Sequence, residues 1–293
     1  MSAEKQAVPI YNIETKQLQA TGFNIIDLSA NGGRSYDSNV MHRHTFYELF
    51  FFKTGKGTHE IDFNVFELEP YSVHFVSPGQ IHKLVLRKNE GYVLCFTEEF
   101  LSLKPGESLG DNFPFFDGSG QPHANLKKSA ASDIESLVVR INKEYKERAP
   151  AQTEIFSHYL TIVLLKLREY LSGAGLAGKD KMHEKNPKVK KFKRLIDADF
   201  ILHHSVAYYA ELLAVSPNHL NALCKKHEGR TAIELIQERL MLEAKRLLYA
   251  TDLSVKEIAF RLKFADTGYF NRFFKNQSHL TPVQYRETFS KNR

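Results

Sequence analysis

The chain has 293 residues, of which 42% are hydrophobic and 25% are charged, as is typical of a soluble globular protein of about two domains. It contains two cysteines, Cys95 and Cys224, and no Cys-x-x-Cys pair, which excludes a disulfide framework and a cysteine-rich zinc site. The first residues lack the apolar segment of a signal peptide, and no apolar run is long enough to cross a bilayer. We therefore expect a cytoplasmic protein that makes no contact with a membrane.

The net charge of +6 is distributed unevenly along the chain. Residues 188–293 contain 19 Lys and Arg against 11 Asp and Glu, a net charge of +8, whereas residues 1–187 contain 21 against 23, a net charge of −2. A basic domain attracts polyanions such as nucleic acids, although basic surfaces also occur on proteins that bind none. The C-terminal third is therefore the candidate polyanion-binding part.

The N-terminal part changes from a β-type to a helical pattern. From about residue 20 to 100, aromatic and β-branched runs are interrupted by Gly, Pro or Asn every 8–12 residues or so, which predicts a sandwich or barrel. Residues 131–171 then predict a helical pair, with Ser132 and Glu135 as a capping box. The second helix, from Glu154 to Leu171, is apolar on more than one side. It is either buried under the barrel or pairs with its copy in a homodimer.

The C-terminal part contains a repeat, because residues 205–229 resemble residues 254–279. Each copy predicts two short helices joined by a tight turn, the layout of a helix-turn-helix. Helix starts are indicated by Ser216-Pro217, by Asp266 and by the capping boxes that begin at Thr231 and Ser254. The helix that starts at Thr231 connects the copies and should be about 27 Å long. A connector of that length can hold two recognition helices about one DNA turn apart, roughly 34 Å.

The polar side chains that point outward from the second helix of each copy are the candidate DNA contacts. Amides and arginine can bond to base edges in the major groove, whereas the lysines, Asn221 and Asn271 are better placed for phosphates. An ordinary helical bundle with solvated faces is the alternative, but two copies on a basic domain favour DNA binding. The candidates are Asn218, His219, Asn221, Ala222 and Lys225 in the first copy, and Thr267, Gly268, Tyr269, Asn271, Arg272 and Lys275 in the second.

These residues resemble the AraC/XylS family of transcription regulators, and the similarity covers about 100 residues. The stretch SVKEIAFRLKFADTGYFNRFFKNQSHLTPVQYR is similar to the family signature. The resemblance implies base-facing positions at Asn218, Asn221, Ala222, Thr267, Gly268, Tyr269 and Arg272, which leaves the role of Asn221 open between base and phosphate. The chain departs from the family at Lys263 and His279, where glycine is usual. Both sites often need a positive φ, so we expect a slightly altered turn.

A second motif lies in the N-terminal part, where Met41-His42-Arg43-His44 is followed by Glu48, Gly55 and Pro78-Gly79-Gln80-Ile81-His82. It resembles the two cupin motifs, in which His42, His44, Glu48 and His82 would form a metal quartet. Residues at even spacing on a strand share one face, which points both histidines and Glu48 into the barrel. Within the AraC-like group the same residues commonly persist in a sensor barrel without a catalytic metal. We therefore expect no cofactor, with a divalent metal on this quartet as the less favoured alternative.

The barrel interior is the expected effector pocket, since a small barrel can hold one small ligand. We take His59 and His74 as structural or surface histidines. Which of Phe50, Phe51 and Phe52 point inward depends on the register of the strand. The pocket is expected to contain Tyr47 and the following residues: His42, His44, Phe46, Glu48, His82 and Phe96.

The sequence thus predicts an α+β protein with three parts. Residues 1–171 form a cupin-like sensor and dimerisation domain with a β-barrel and a helical pair, residues 172–188 a linker, and residues 189–293 an all-α domain with two helix-turn-helix units. The predicted function is sequence-specific control of transcription, switched by a small-molecule effector. The expected partners are double-stranded DNA, the effector and a second copy of the chain, with RNA polymerase as a further candidate. The rival hypotheses are a metal-dependent cupin enzyme fused to a DNA-binding module, and a constitutive DNA-binding protein whose barrel only dimerises.

Overall fold

A computed structural model of the chain describes residues 8–11, 21–29, 39–87, 90–101, 108–117, 121–147, 152–172 and 186–290. The chain divides into two compact units, one within Pro9–Lys181 and the other within Met182–Arg293. The linker predicted at 172–188 lies mostly outside the described residues. Among the described residues, none of the helices combines the length and apolar character that a bilayer-spanning segment needs.

The first unit is built on two β-sheets that face each other across a hydrophobic core. Its five-stranded sheet has the order β10-β7-β4-β9-β2, its three-stranded sheet has the order β6-β5-β8, and β1 pairs with β3. All strand pairs in the two larger sheets are antiparallel. The strands are β1 (Ile10–Tyr11), β2 (Phe23–Asp27), β3 (Arg43–His44), β4 (Tyr47–Thr54), β5 (Gly57–Ile61), β6 (Asn64–Glu67), β7 (Ser72–Val76), β8 (His82–Leu86), β9 (Glu90–Phe96) and β10 (His123–Asn125).

Strand β4 has both faces buried and so separates two cores. Phe50 and Phe52 point into the core between the sheets, whereas Phe51 packs on the opposite face against the helices. This settles the register of the three phenylalanines. It also corrects two predicted pocket residues: Phe96 and Tyr47 belong to the helix-side core, where their rings stack 5.7 Å apart. Side chains alternate along a strand, so Phe96 and Tyr47 lie on the face that Glu48 does not share.

Three helices and two 3₁₀ turns lie in the part of the first unit that the structure describes. The two long helices pack on one another and on the five-stranded sheet through residues such as Ile134, Val138, Leu160 and Val163, all fully buried. The first long helix begins at Lys128, so the prediction of Ser132 as its N-cap is wrong. The elements are the 3₁₀ turns Glu99–Leu101 and Pro114–Phe116, α1 (Leu109–Asn112), α2 (Lys128–Glu147) and α3 (Gln152–Ser172).

All regular elements of the second unit within residues 186–290 are helices, as predicted. One core runs through it and includes Phe192, Leu220, Ile236 and Phe270. The connecting helix has 19 residues and is therefore about 28 Å long, close to the predicted length. The helices are α4 (Pro187–Asp199), α5 (Val206–Leu212), α6 (Pro217–Glu228), α7 (Ala232–Ala250), α8 (Val255–Arg261), α9 (Thr267–Ser278) and α10 (Pro282–Ser290).

The predicted helix starts of the second unit are confirmed. Ser216 caps α6 and Asp266 caps α9. Each side chain accepts a hydrogen bond from the backbone N–H of the residue three positions later. Thr231 and Ser254 each form a complete capping box with the glutamate three residues later. These signals are local, which is why the sequence alone places the helices correctly.

The two departures from the family pattern do adopt the left-handed conformation. Lys263 has φ = 58° and His279 has φ = 62°. His279 ends α9 at the position where Gly229, with φ = 74°, ends α6 in the first copy. The turns are thus kept, and the non-glycine residues carry the steric cost of this conformation.

Candidate DNA-binding surface and buried histidine cluster

The second helices of the two repeats, α6 and α9, present polar faces to solvent. Leu220 and Cys224 on α6, and Phe270 and Phe274 on α9, are fully buried and fix which face points inward. The opposite faces carry the predicted contact residues, of which only Asn221 and Thr267 are half-buried. The exposed ones are Asn218, His219, Ala222, Lys225, Gly268, Tyr269, Asn271, Arg272 and Lys275.

Arg272 and Gly268 are neighbours on the exposed face of α9. A Cβ placed on Gly268 would lie 3.7 Å from a terminal guanidinium nitrogen of Arg272 and 3.0 Å from Oδ1 of the capping Asp266. The absence of a side chain at Gly268 thus leaves room beside the guanidinium. A guanidinium with an open approach can donate two parallel hydrogen bonds to a guanine edge.

Asn221 has a structural partner that the sequence did not reveal. Its Oδ1 accepts a hydrogen bond from the backbone N–H of Ala232, at 3.0 Å. Ala232 is the first residue of α7, where backbone donors have no partner within the helix. Asn221 therefore ties the first repeat to the connecting helix.

A group of ionic side chains joins the connecting helix, α7, to α4. Arg239 donates to Asp197 on α4, with Nε 3.0 Å from Oδ1, and lies 3.9 Å over the ring of Phe200. Glu243, nearly fully buried, lies 3.5 Å from Arg239 and 3.9 Å from Arg246. Burial lowers the pKa of Arg239, an effect that Glu243 and Asp197 oppose. At the other end of the helix, Arg286 donates to the backbone oxygens of Leu248 and Leu253.

In the first unit, the predicted quartet comes together between the sheets. His42, His44, Glu48 and His82 are 0–1% exposed. Nε2 of His44 lies 3.2 Å and Nε2 of His82 lies 3.7 Å from Oε2 of Glu48. The ligand atoms of these three residues all lie within 4.8 Å of one another. The ring of His42 joins them, with its centroid 4.2 Å from that of His82.

Backbone contacts place two of these rings. Nδ1 of His42 lies 2.7 Å from the carbonyl oxygen of Val40, and Nδ1 of His44 lies 2.7 Å from that of Phe46. A carbonyl oxygen can only accept, so both Nδ1 atoms carry the proton and donate. In the neutral rings, Nε2 then carries a lone pair. Phe46 also stacks on the ring of His44, at 4.2 Å, which holds its orientation.

The structure adds His59 and His74 to the cluster, and their full burial excludes the surface alternative of their prediction and agrees with the structural one. Nε2 of His59 lies 3.0 Å from Nδ1 of His82, and Nδ1 of His59 lies 3.1 Å from Nδ1 of His74. Burial lowers the pKa of His74 from 6.5 to about 3, with a smaller contribution from nearby His123. Alternation along β5, where His59 and Ile61 are both buried, was the signal that could have found His59.

Comparison with known proteins identifies both units. The family model described as AraC-like ligand binding domain matches residues 26–149, and the model of a helix-turn-helix domain matches residues 209–288. The chain belongs to the AraC family of transcription regulators. The matched segments contain the histidine cluster, most of the first helix-turn-helix unit and all of the second, and they establish the cupin-like ligand-binding domain and the DNA-binding domain of this AraC-family chain.

Two curated relatives are similar in sequence over most of this AraC-family chain, and a solved structure is similar to its C-terminal part. The HTH-type transcriptional activator RhaR of Enterobacter sp. is 23% identical over 278 residues, which cover 89% of this chain and 94% of RhaR. RhaS from the same strain is 24% identical, covering 84% and 87%. The C-terminal domain of AraT from Geobacillus stearothermophilus is 33% identical, with a TM-score of 0.34, over 35% of this chain and 86% of that structure. The helix-turn-helix match, together with relatives that are named transcriptional activators, shows a regulator rather than an enzyme.

Proposed function

We propose that this regulator binds a specific double-stranded DNA sequence through both helix-turn-helix units and responds to an effector in the N-terminal barrel. The observation that carries the proposal is the pair of polar faces on α6 and α9, exposed on the basic C-terminal part of the chain. We take residues 1–171, 172–188 and 189–293 as its sensor domain, linker and DNA-binding domain.

Each exposed residue of the two faces has a role that follows from its chemistry. Arg272 donates hydrogen bonds to a guanine. Asn218 and Tyr269 each contact a base edge in the major groove. Lys225 and Lys275 bind phosphates and set the register on the duplex. Ala222 offers one methyl group, so the first unit reads sequence weakly and mainly positions the protein. The remaining proposed contacts are His219, Thr267, Gly268 and Asn271.

The test of the DNA proposal is Arg272→Ala, measured by titration against a panel of operator sequences with single base changes. We expect a loss of about 1–3 kcal/mol on the best sequence and a relaxed preference at one base position. Lys275→Ala is the matched control, since loss of a phosphate contact should weaken binding to all sequences equally and reduce the salt dependence. If Arg272→Ala also weakens binding to every sequence by the same factor, Arg272 contacts phosphate and its proposed role is wrong.

The effector site that we propose lies in the barrel interior, among His42, His44, Phe46, Glu48 and His82. Its support is the set of converging polar atoms in an otherwise apolar core. Effector binding would shift the population between DNA-competent and incompetent states of the protein. Thermal unfolding across a panel of small molecules and ions tests the proposal, because a ligand that binds only the folded state raises Tm.

We also propose that the regulator works in the cytoplasm as a homodimer and contacts RNA polymerase. The dimer is supported by Ile155, Ile162 and Leu165, which lie 40–42% exposed along one side of α3. The polymerase contact is supported by RhaR and RhaS, whose names describe transcriptional activators. Transcription from a reporter promoter with purified polymerase, with and without the protein, tests the last point.

A further inference from the structure

We propose that the first unit carries a ligand site outside the barrel, which binds a small organic anion made of one carboxylate and an apolar body. The site is a cavity beside α3 that contains a single charged side chain, that of Arg168, among the described residues of its lining. The cavity and the histidine cluster share no residue. The inference therefore goes beyond the effector proposed for the barrel and does not depend on it.

The cavity lies where α3 meets the 3₁₀ turn Glu99–Leu101 and the end of α1. Its volume is about 210 Å³, and it is open to solvent on one side. At about 30 Å³ for each water molecule, this space holds roughly seven waters, or a ligand of roughly seven to ten non-hydrogen atoms. The residues that line the cavity are Leu101, Asn112, Phe113, Thr161, Leu165 and Arg168.

The apolar part of the lining comes from Leu101, Phe113 and Leu165. Leu101 and Phe113 are only 7% and 4% exposed, so they form a wall that is continuous with the helix-side core. Leu165 is 41% exposed and borders the opening. A ligand that covers these side chains removes apolar surface from water, and this burial favours binding.

Arg168 is exposed and is held beside this apolar wall by two contacts. Its Nη1 donates to the backbone oxygen of Asn112, at 3.1 Å, and its guanidinium carbon lies 5.6 Å from the centre of the Phe113 ring. A long side chain that is already ordered loses less conformational entropy when a ligand binds. The guanidinium is thus preorganised next to the cavity.

The charge of Arg168 has no acidic partner among the described residues. Other cations of the same two helices do have one, since Lys166 lies 2.6 Å from Asp133 and Arg140 lies 3.2 Å from Glu144. The contact with the Asn112 oxygen uses one of the five N–H groups of the guanidinium, so donors remain for a ligand.

The other polar side chains of the lining do not select an anion. The hydroxyl of Thr161 donates to the backbone oxygen of Ser157, at 2.7 Å, and so has no proton left for a ligand. Arg168 therefore determines the charge of the ligand. A carboxylate suits a guanidinium best, because its two oxygens accept two parallel N–H bonds. A doubly charged phosphate would leave a charge uncompensated beside the apolar wall, which is costly.

The binding test titrates the full-length protein with two pairs of probes of matched shape, benzoate with benzyl alcohol and hexanoate with 1-hexanol. We expect one acid per chain and dissociation constants in the millimolar range or somewhat below, as suits ligands of this size. The acids should bind about 10-fold more tightly than the alcohols, because hydrogen bonds to charged groups are the stronger ones. Wild-type protein that binds neither acid, or that binds acids and alcohols equally, overturns the proposal.

Two substitutions locate the charge and the cavity. Arg168→Gln removes the cation and should weaken binding of both acids about 10-fold without changing that of the alcohols. Arg87→Gln makes the same substitution at an exposed site of the same unit and should bind the acids as the wild type does. Thr161→Phe fills the cavity and should abolish binding of acids and alcohols, with Tm as the check that it is folded. Equal binding of benzoate by Arg168→Gln and Arg87→Gln would show that the anion lies elsewhere.

Methyl chemical shifts read by NMR separate this site from the barrel. The ring of bound benzoate should shift the methyl signals of Leu101 and Leu165 and leave those of Leu84, which packs between the sheets. Shifts at Leu84 without shifts at Leu101 would place the acid in the barrel, overturn the cavity site and support the barrel effector. Sequence-specific DNA binding is measured separately with the operator panel, so failure of the cavity site leaves the proposed regulator intact.

Discussion

At the scale of single residues, the ends of α6 and α9 offer a controlled test of backbone strain. Gly229 and His279 occupy equivalent positions with φ of 74° and 62°. A left-handed conformation costs a residue with a Cβ about 1 kcal/mol relative to glycine. His279→Gly should therefore raise the free energy of unfolding by up to about 1 kcal/mol, measured by urea denaturation.

The reciprocal substitution at Gly229 provides the control for His279. A Cβ built on Gly229 meets no atom within 4 Å, so Gly229→Ala changes backbone strain without a steric clash. It should lower the free energy of unfolding by about 1 kcal/mol. If both substitutions leave stability unchanged, the strain assigned to these turns is absent.

His74 makes stability depend on pH. Burial lowers its pKa to about 3 in the folded protein, against 6.5 for the ordinary group, and the groups that face it are His59 and His123. Between pH 6.5 and 3 the unfolded chain therefore binds more protons at this residue than the folded protein does. Stability falls as the pH falls through that range, by up to about 1.4 kcal/mol per pH unit. In His74→Phe the free energy of unfolding, measured by urea denaturation at several pH values, should change less steeply with pH, and an unchanged slope would contradict the assignment.

At the scale of elements, the two repeats use the same asparagine differently. Asn221 accepts the N–H of Ala232 at the start of α7. In the second repeat the residue equivalent to Ala232 is Pro282, which has no N–H, and Asn271 is exposed. Asn221→Ala should therefore lower the free energy of unfolding by about 1 kcal/mol. Asn271→Ala should change stability by less than about 0.5 kcal/mol and weaken DNA binding instead. Equal effects of the two variants on both measurements would show that the repeats are equivalent here.

The elements that could be predicted from the sequence are those whose signals are local. Helix starts at Ser216, Thr231 and Ser254 depend on side chains within four residues, so the pattern contains the information. The face on which Phe96 lies, and the burial of His59 and His74, depend on strand register and on pairing between distant strands. The quartet was predictable because its residues resemble the cupin motifs, whereas no such resemblance marks His59 or His74.

At the scale of the whole molecule, the division into a β-rich unit and an all-α unit was visible in the change of periodicity and of charge along the chain. Local patterns determine the second unit almost completely, because its helices are short and individually capped. The first unit required pairing between strands far apart in the chain, such as β2 with β9. Sequence patterns therefore predicted its class, but not which strands pair or which aromatic rings point inward.

The oligomeric state is also a property of the whole molecule, and the exposed apolar side of α3 bears on it. Ile155, Ile162 and Leu165 line one side of α3, and such an exposed apolar stripe is typical of a helix that pairs with a second copy. Ile162→Glu should convert a dimer to a monomer, as measured by light scattering after gel filtration. Val65→Glu introduces the same charge at an exposed apolar residue of the same unit and should leave the dimer intact. The monomer should also bind a two-site operator less tightly, because the second contact is no longer tethered to the first. A wild-type monomer, or an Ile162→Glu dimer, would place the interface elsewhere or remove it.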